Sequence, residues 1–191
     1  MLTNIDTSDV VGTFGLTAVT YFPHVQDAHL DRSTANFLAT VGLPENTFFS
    51  PRLDLEDENL ARLAFGASVK VSFEKDGATC PPETVTWEEL GGFQYAMVAV
   101  DPTDGRIYAF SEGEVDYLPM HTDVSSLVHS LAVLEKGKAQ YKGIDRDDDE
   151  ARDRVVEHMR QEITAVDATP FADDEGEWPS LFEEINLGMW G

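Results

Sequence analysis

Carboxylates are the side chains in this sequence whose number and spacing could support chemistry. Asp and Glu together number 36 against 13 Lys and Arg, and the formal charge is −23. Asp145, Asp147 and Asp149 have the alternate spacing of the first ligands in a calcium-binding loop. Glu150, however, stands where such a loop needs glycine, and Val156 where it needs a carboxylate. The pattern therefore favours anions at the start of a helix, stabilised by the helix dipole, over a metal site.

The other reactive residue types lack the spacing that catalysis or cofactor binding requires. Cys80 is the single cysteine, which excludes an intramolecular disulfide and a zinc site built on thiolate pairs. We find no phosphate-binding loop, no G-x-G-x-x-G motif and no G-x-S-x-G motif. We therefore expect no cofactor, no metal and no catalytic group, although so many carboxylates leave an unrecognised acid–base site open. The histidines lack the i, i+4 spacing of a metal-binding helix; they are His24, His29, His121, His129 and His158.

The negative charge restricts the partners that this chain can bind. It repels phosphate backbones and anionic membranes, so we expect neither nucleic-acid nor membrane binding. The longest uninterrupted apolar stretch, Tyr95 to Val100, is far shorter than the roughly 20 residues of a membrane-spanning helix. The first residues lack the pattern of a signal peptide, and a lone cysteine fits a reducing compartment. We expect a cytoplasmic protein; its acidity fits either a basic protein partner or a merely solvated surface.

The acidic residues are densest in the C-terminal part of the chain. Residues 144–184 contain 15 acids and 4 bases, whereas residues 1–143 contain 21 acids and 9 bases. The patterns around Trp87 and Trp178 favour core positions, but an aromatic side chain near the C-terminus can anchor a partner if it is exposed. We therefore predict partner binding in this region. The candidate contact residues are Asp145, Asp147, Asp148, Asp149, Asp173, Asp174, Glu175 and Trp190.

Hydrophobic periodicity predicts the helices that must position these residues. Asp residues precede the apolar positions of three helices, and Pro179 lies in the first turn of the last helix. The apolar positions are spaced three or four apart, and glycine or proline follows them. One helix is expected before the sheet and three after it. Their limits are Asp31 to Gly42, Asp123 to Gly137, Asp145 to Pro170 and Trp178 to Gly188.

Alternating and continuous apolar segments predict an antiparallel meander around residues 69–118. Its strands are expected at 69–73, 93–100, 106–110 and 115–118, with Asp-Pro and Asp-Gly turn chemistry at 101–105. Two further expectations are an N-terminal strand at 14–22 and a break at Gly91-Gly92. This order of elements predicts an α+β fold. No repeat or low-complexity linker divides the chain, so we expect one domain over residues 1–191.

Four segments occur in order between residues 30 and 190. They are FLATVGLP (37–44), VAVDPTDGRIY (98–108), SSL (125–127) and WPSLFEEINLGM (178–189). In order and spacing they resemble the SUKH superfamily, the Smi/Knr-like proteins of bacterial toxin–immunity systems, and in particular its fourth branch. The sequence departs from that pattern at Val124, where the family usually has asparagine, and at Ser130, where it has an aromatic residue.

This resemblance implies an α+β fold with a largely antiparallel sheet flanked by helices. It also implies a non-catalytic immunity protein that binds and neutralises a cognate toxin, often a nuclease or a nucleic-acid deaminase. No catalytic residue, cofactor or binding residue transfers with it. An acidic protein suits a toxin with a basic cleft. An intracellular adaptor without a toxin partner is the alternative, and an enzyme with an unrecognised carboxylate site is the third possibility.

Overall fold

The computed structural model describes residues 1–22, 30–52, 68–145 and 148–188. Within these ranges the chain forms six α-helices, seven β-strands and three short 3-10 turns. The helices are α1 (Thr7–Phe14), α2 (Arg32–Thr40), α3 (Val69–Lys75), α4 (Val124–Lys142), α5 (Asp149–Val166) and α6 (Glu177–Asn186). The strands are β1 (Val19–Thr20), β2 (Leu43–Pro44), β3 (Phe49–Pro51), β4 (Glu88–Phe93), β5 (Ala96–Val100), β6 (Ile107–Phe110) and β7 (Leu118–His121).

Strands β3 to β7 form an antiparallel sheet whose order in space follows their order in the chain. The predicted turn before β6 is confirmed: the Asp101 carboxylate accepts a hydrogen bond from the backbone nitrogen of Thr103 at 2.8 Å, and Gly105 has φ of +77°. The predicted α+β fold is also confirmed. The meander lies at residues 88–121 rather than around 69–118, and β3 adds a strand at its edge.

Helix α4 lies in the main core, on one face of the sheet. Asp123 caps it as predicted, because its carboxylate accepts a hydrogen bond from the backbone nitrogen of Ser126 at 3.0 Å. Helices α1, α2 and α5 contact α4, and α6 contacts α5. Each fully buried leucine of α4 contributes about 1.5–3 kcal/mol of hydrophobic stabilisation. These leucines are Leu127, Leu131 and Leu134.

Helix α3 covers the opposite face of the sheet, where the sequence predicted a strand at 69–73. Val69 and Phe73 are four residues apart, so both point to one side of a helix and are buried with Trp87 and Phe110. Val71, between them, is 50% exposed. The prediction was wrong because apolar residues at i, i+2 and i+4 fit a strand, whereas the first and last alone also fit one helical face.

The predicted strand at 14–22 is also wrong for most of its length. Helix α1 ends at Phe14, and the chain then makes the 3-10 turn Leu16–Ala18 before the two-residue strand β1. Gly15 directs this change, since its φ of +89° is a conformation that residues with a side chain rarely adopt.

Two expectations about the sheet are corrected at its first hairpin. The predicted strand 93–100 is two strands, because Gln94 and Tyr95 form a turn between β4 and β5. Gly91 and its neighbour do not end a strand but lie within β4, at a bulge. A Cβ at Gly91 would lie 2.2 Å from the carbonyl oxygen of Ser50, so this glycine permits the close approach of β3.

Two predicted boundaries shift for reasons of packing. Helix α4 passes the expected end at Gly137 and continues to Lys142. A Cβ at Gly137 would lie 1.9 Å from the Sδ atom of Met159 in α5, so this glycine serves helix packing rather than termination. The strand expected at 115–118 begins only at Leu118. Helices α2, α5 and α6 lie where the sequence predicts them.

Candidate functional site

The first predicted acidic group lies at the N-terminal end of α5. Asp148 caps this helix, because its carboxylate accepts a hydrogen bond from the backbone nitrogen of Ala151 at 3.0 Å. Asp149 lies in the first turn, 3.7 Å from the guanidinium of Arg152. Asp145 is exposed just before the helix. The predicted placement of anions at a helix start is confirmed, and part of this group is engaged in stabilising the helix.

The second predicted group is Asp173, Asp174 and Glu175, all exposed in the segment that leads into α6. The Asp173 carboxylate accepts a hydrogen bond from the backbone nitrogen of Glu175 at 3.0 Å. Helix α5 has 18 residues, so its ends lie about 27 Å apart and separate the two groups. The predicted residues therefore do not form one compact patch. Asp147 and Trp190 lie outside the described residues.

The second group continues onto the turn between β6 and β7. The hydroxyl of Ser111 donates a hydrogen bond to the Glu177 carboxylate at 2.8 Å, which holds the start of α6 against this turn. Residues 107–135 and 161–191 contain no Lys or Arg, so neither segment supplies a neutralising charge. We call this combined surface the acidic edge. Its residues are Glu112, Glu114, Asp173, Asp174, Glu175 and Glu177.

A groove with a volume of about 420 Å³ adjoins the acidic edge, on the face of the sheet that α3 covers. The apolar side chains of Phe73, Met97 and Phe110 line it. Tyr95 and Val115 also line it and are 76% and 48% exposed. We call it the α3 groove. The other residues of its lining are Ser72, Asp76, Ala78, Ser111, Glu112, Gly113 and Glu114.

An aromatic cluster supports the wall of the α3 groove. Trp87, buried as predicted, stacks on Tyr108 with ring centroids 4.2 Å apart. Phe110 contacts Trp87 and Tyr117 with centroids 6.1 Å and 5.4 Å apart. Such offset and edge-to-face pairs add about 0.5–1.5 kcal/mol each to hydrophobic burial. The groove therefore has a rigid apolar side.

Sequence reasoning missed the α3 groove because its lining comes from segments that are distant in the chain. The sequence predicts a strand where α3 lies, and it predicts that Tyr95 lies inside the continuous strand 93–100. The turn that exposes Tyr95 contains no Gly, Asn, Asp or Pro, so the usual turn signals were missing. The Glu-Gly-Glu sequence at 112–114, between the strands expected at 106–110 and 115–118, is the one local signal of a turn at this groove.

A buried polar cluster has the residue types of a catalytic triad but not its geometry. His121 Nδ1 lies 3.5 Å from the Asp167 carboxylate and 3.4 Å from the Ser126 hydroxyl. In a triad these two contacts use different ring nitrogens, and the serine must reach a substrate. Here Nδ1 makes both contacts, and Nε2 has no hydrogen-bond partner. All three residues are buried. The cluster therefore holds β7, α4 and the end of α5 together.

The pKa values in this cluster follow from burial and hydrogen bonding. Burial lowers the pKa of His121, so the ring stays neutral and donates from Nδ1 to Asp167. Burial alone would raise the pKa of Asp167, but hydrogen bonds from His121, Thr122 and Thr169 outweigh it and hold that pKa well below its usual range. Asp167 is therefore an ionised carboxylate whose charge is stabilised by fixed donors.

Among residues 1–22, 30–52, 68–145 and 148–188, no group of three or more His, Cys, Asp or Glu side chains is placed to hold a metal ion. No helix in these ranges combines the length and the apolar character needed to span a bilayer.

The fold and its surface are those of a protein-binding protein: the polar cluster is buried, and the exposed features are an acidic edge and an apolar groove. The chain belongs to the SUKH-4 immunity protein family, since the family model matches residues 5–184. Proteins of this family are non-catalytic and neutralise toxin partners. The family resemblance seen in the sequence is thus confirmed. No curated protein and no solved structure matches the chain.

Proposed function

We propose that this chain binds a cognate bacterial toxin and neutralises it by covering the toxin's working surface. Beyond family membership, the observation that carries the proposal is the acidic edge, six carboxylates on two segments without a Lys or Arg. Such a surface attracts a basic protein. Toxins that act on nucleic acid, such as nucleases and nucleic-acid deaminases, need a basic surface to hold their substrate. A toxin of this type is therefore the expected partner.

Charge and shape contribute at different stages of binding. The field of a chain with net charge −23 speeds the encounter with a basic protein, and steered association reaches about 10⁸–10⁹ M⁻¹s⁻¹ at low salt. The acidic group at the start of α5 adds to this field from a distance, because it lies at the far end of the helix from the acidic edge. On the toxin, the acidic edge itself occupies the position that substrate phosphates would take. This chain and the substrate therefore cannot bind the toxin at the same time.

Co-expression with the toxin domain encoded by a neighbouring gene tests this proposal. We expect cells that make both proteins to grow where the toxin alone stops growth, and we expect the purified chain to capture the toxin. The association rate should fall steeply with added salt, because the screening length shortens from about 10 Å at 0.1 M to about 3 Å at 1 M.

Two charge-matched variants test the assigned surface. Each removes three negative charges, so a difference between them reflects position rather than total charge. The variant on the acidic edge should lower the association rate several-fold more than the variant on the exposed side of α5. If neither protection nor capture occurs, the proposal is wrong and the adaptor alternative is favoured. The variants are D173N/D174N/E175Q on the acidic edge and E150Q/D153N/E157Q on α5.

A further inference from the structure

The α3 groove combines features that the acidic edge alone lacks. It is a concave site of about 420 Å³ with an apolar wall formed by Phe73, Met97 and Phe110. Protein interfaces concentrate their binding energy where a side chain enters such a desolvated pocket. The groove is therefore suited to hold one anchoring side chain of a partner.

An exposed aromatic residue stands at the mouth of this groove. Tyr95 is 76% exposed although it lies only two residues after Phe93, the buried last residue of β4. Two hydrogen bonds from Gln94 hold the turn that carries Tyr95. The backbone nitrogen of Gln94 donates to the carbonyl of Phe48 at 2.8 Å, and the side-chain amide of Gln94 donates to the Glu184 carboxylate at 3.1 Å. Gln94 has φ of +51°, a left-handed conformation that is unusual for glutamine. The backbone of the turn that carries Tyr95 is thus held in place, so little backbone freedom is lost when a partner covers the tyrosine.

The charged groups at the groove indicate the chemistry of the occupant. Asp76, Glu112 and Glu114 are exposed carboxylates of the lining, and no Lys, Arg or His belongs to that lining among the described residues. The nearby Lys75 is exposed but is not part of it. Long basic side chains place an aliphatic stem on apolar surface and a charged head on carboxylates. An apolar wall with a carboxylate rim matches that pattern.

We propose that the α3 groove receives an Arg or Lys side chain that projects from the toxin, with an apolar toxin residue packed on Tyr95. This inference rests on the proposed function and adds the short-range anchor that the acidic edge does not supply. The edge governs how fast the two proteins meet, and the groove governs how long they stay together. The two surfaces share Glu112 and Glu114, which lie on the turn at 111–115.

Dissociation rates of the complex with the neighbouring gene's toxin domain test this assignment. We expect Y95A to raise the dissociation rate about tenfold or more, as truncation of an interface anchor does, with little change in the association rate. We expect D76N/E112Q/E114Q to raise it by a similar factor and also to slow association, because Glu112 and Glu114 belong to the acidic edge as well as to the groove. The controls are L16A, which truncates an exposed apolar side chain outside the groove, and E150Q/D153N/E157Q, which makes the same charge change on α5.

The outcomes separate this inference from the proposed function. Faster dissociation of both groove variants, with both controls close to the unaltered chain, supports the groove as the anchor. If the unaltered chain protects cells while the groove variants dissociate no faster than their controls, the groove assignment is overturned and the proposed function stands. If the unaltered chain neither protects nor binds, both fail. Because the substituted residues are exposed, thermal melting of each variant should match that of the unaltered chain.

Discussion

Asp167 is the residue on which most hydrogen bonds of the buried polar cluster converge. Its carboxylate accepts from the Thr122 backbone at 2.7 Å, the Thr122 hydroxyl at 3.0 Å, the Ser126 hydroxyl at 2.8 Å and the Thr169 backbone at 3.0 Å. A buried carboxylate that loses its charge leaves these donors poorly paired. The side chain therefore matters for stability rather than for binding.

Replacing Asp167 with asparagine should lower the free energy of unfolding by about 3 kcal/mol at pH 7, measured by denaturant titration. Because folding lowers the pKa of Asp167, the unfolded chain takes up the proton first as the pH falls. Its stabilisation is complete above about pH 5 and is lost progressively below about pH 4. The difference between the two proteins should shrink over that range. D174N, an exposed control, should change nothing; an equally stable D167N would contradict the assigned role.

Glu88 at the start of β4 should have the opposite pH dependence. Burial raises the pKa of Glu88 to about 7, against the attraction of Arg52. The folded chain therefore binds the proton more tightly than the unfolded chain, and stability decreases as the pH rises from about 4.5 through about 7. We expect E88Q to be more stable than the unaltered chain by about 1 kcal/mol at pH 8 and equally stable near pH 4.5. A gain that does not depend on pH would show that Glu88 is not titrating.

Residue roles could be predicted from the sequence only where the signal is local. The N-cap role of Asp123 and the burial of Trp178 follow from neighbouring residues, and both are confirmed. The contact between His121 and Asp167 joins positions far apart in the chain, and no local pattern marks it.

Among the elements, helices α4 and α5 show that close helix packing can require a glycine inside a helix. Gly137 lies inside α4, where a Cβ would meet Met159 at 1.9 Å. Gly12 lies inside α1, exposed, with nothing within 4 Å of a Cβ. The same substitution should therefore have opposite effects at the two positions.

We expect G137A to lower the free energy of unfolding by about 1–3 kcal/mol, because Met159 is buried and cannot move away freely. G12A should raise it by about 0.5–1 kcal/mol, because alanine favours the helix and restricts the unfolded chain. Denaturant titration of both variants measures this contrast. A stabilising G137A would mean that α4 and α5 are not in such close contact.

The elements that sequence patterns predicted correctly are those with both a period and an end signal. Helix α2 has Asp31 as its cap and Gly42 after its end, and it lies where expected. Helix α3 is short: Val69, Val71 and Phe73 together fit a strand, but Val69 and Phe73 alone fit one helical face, and tertiary contact with the sheet decides its form. The hairpin between β4 and β5 was missed because its turn residues are Gln94 and Tyr95.

At the scale of the whole molecule, the sheet separates a helical side from the side on which we propose that the toxin is anchored. The main core and helices α4 to α6 lie on one face, and the α3 groove opens on the other, beside the acidic edge. Composition and family resemblance predicted a toxin-binding protein. They predicted Asp173, Asp174 and Glu175 of the acidic edge but not the α3 groove, because residues from α3, β5 and two turns meet there only after folding.

A titration of the toxin domain's activity with increasing amounts of this chain tests the central claim most directly. If the chain acts by covering the toxin, activity should fall in proportion to added chain and reach zero near one chain per toxin. Full activity should return after the complex is separated at high salt. Loss of activity at far less than one chain per toxin, or a toxin that stays inactive after separation, would contradict the account, because either result requires chemical alteration of the toxin.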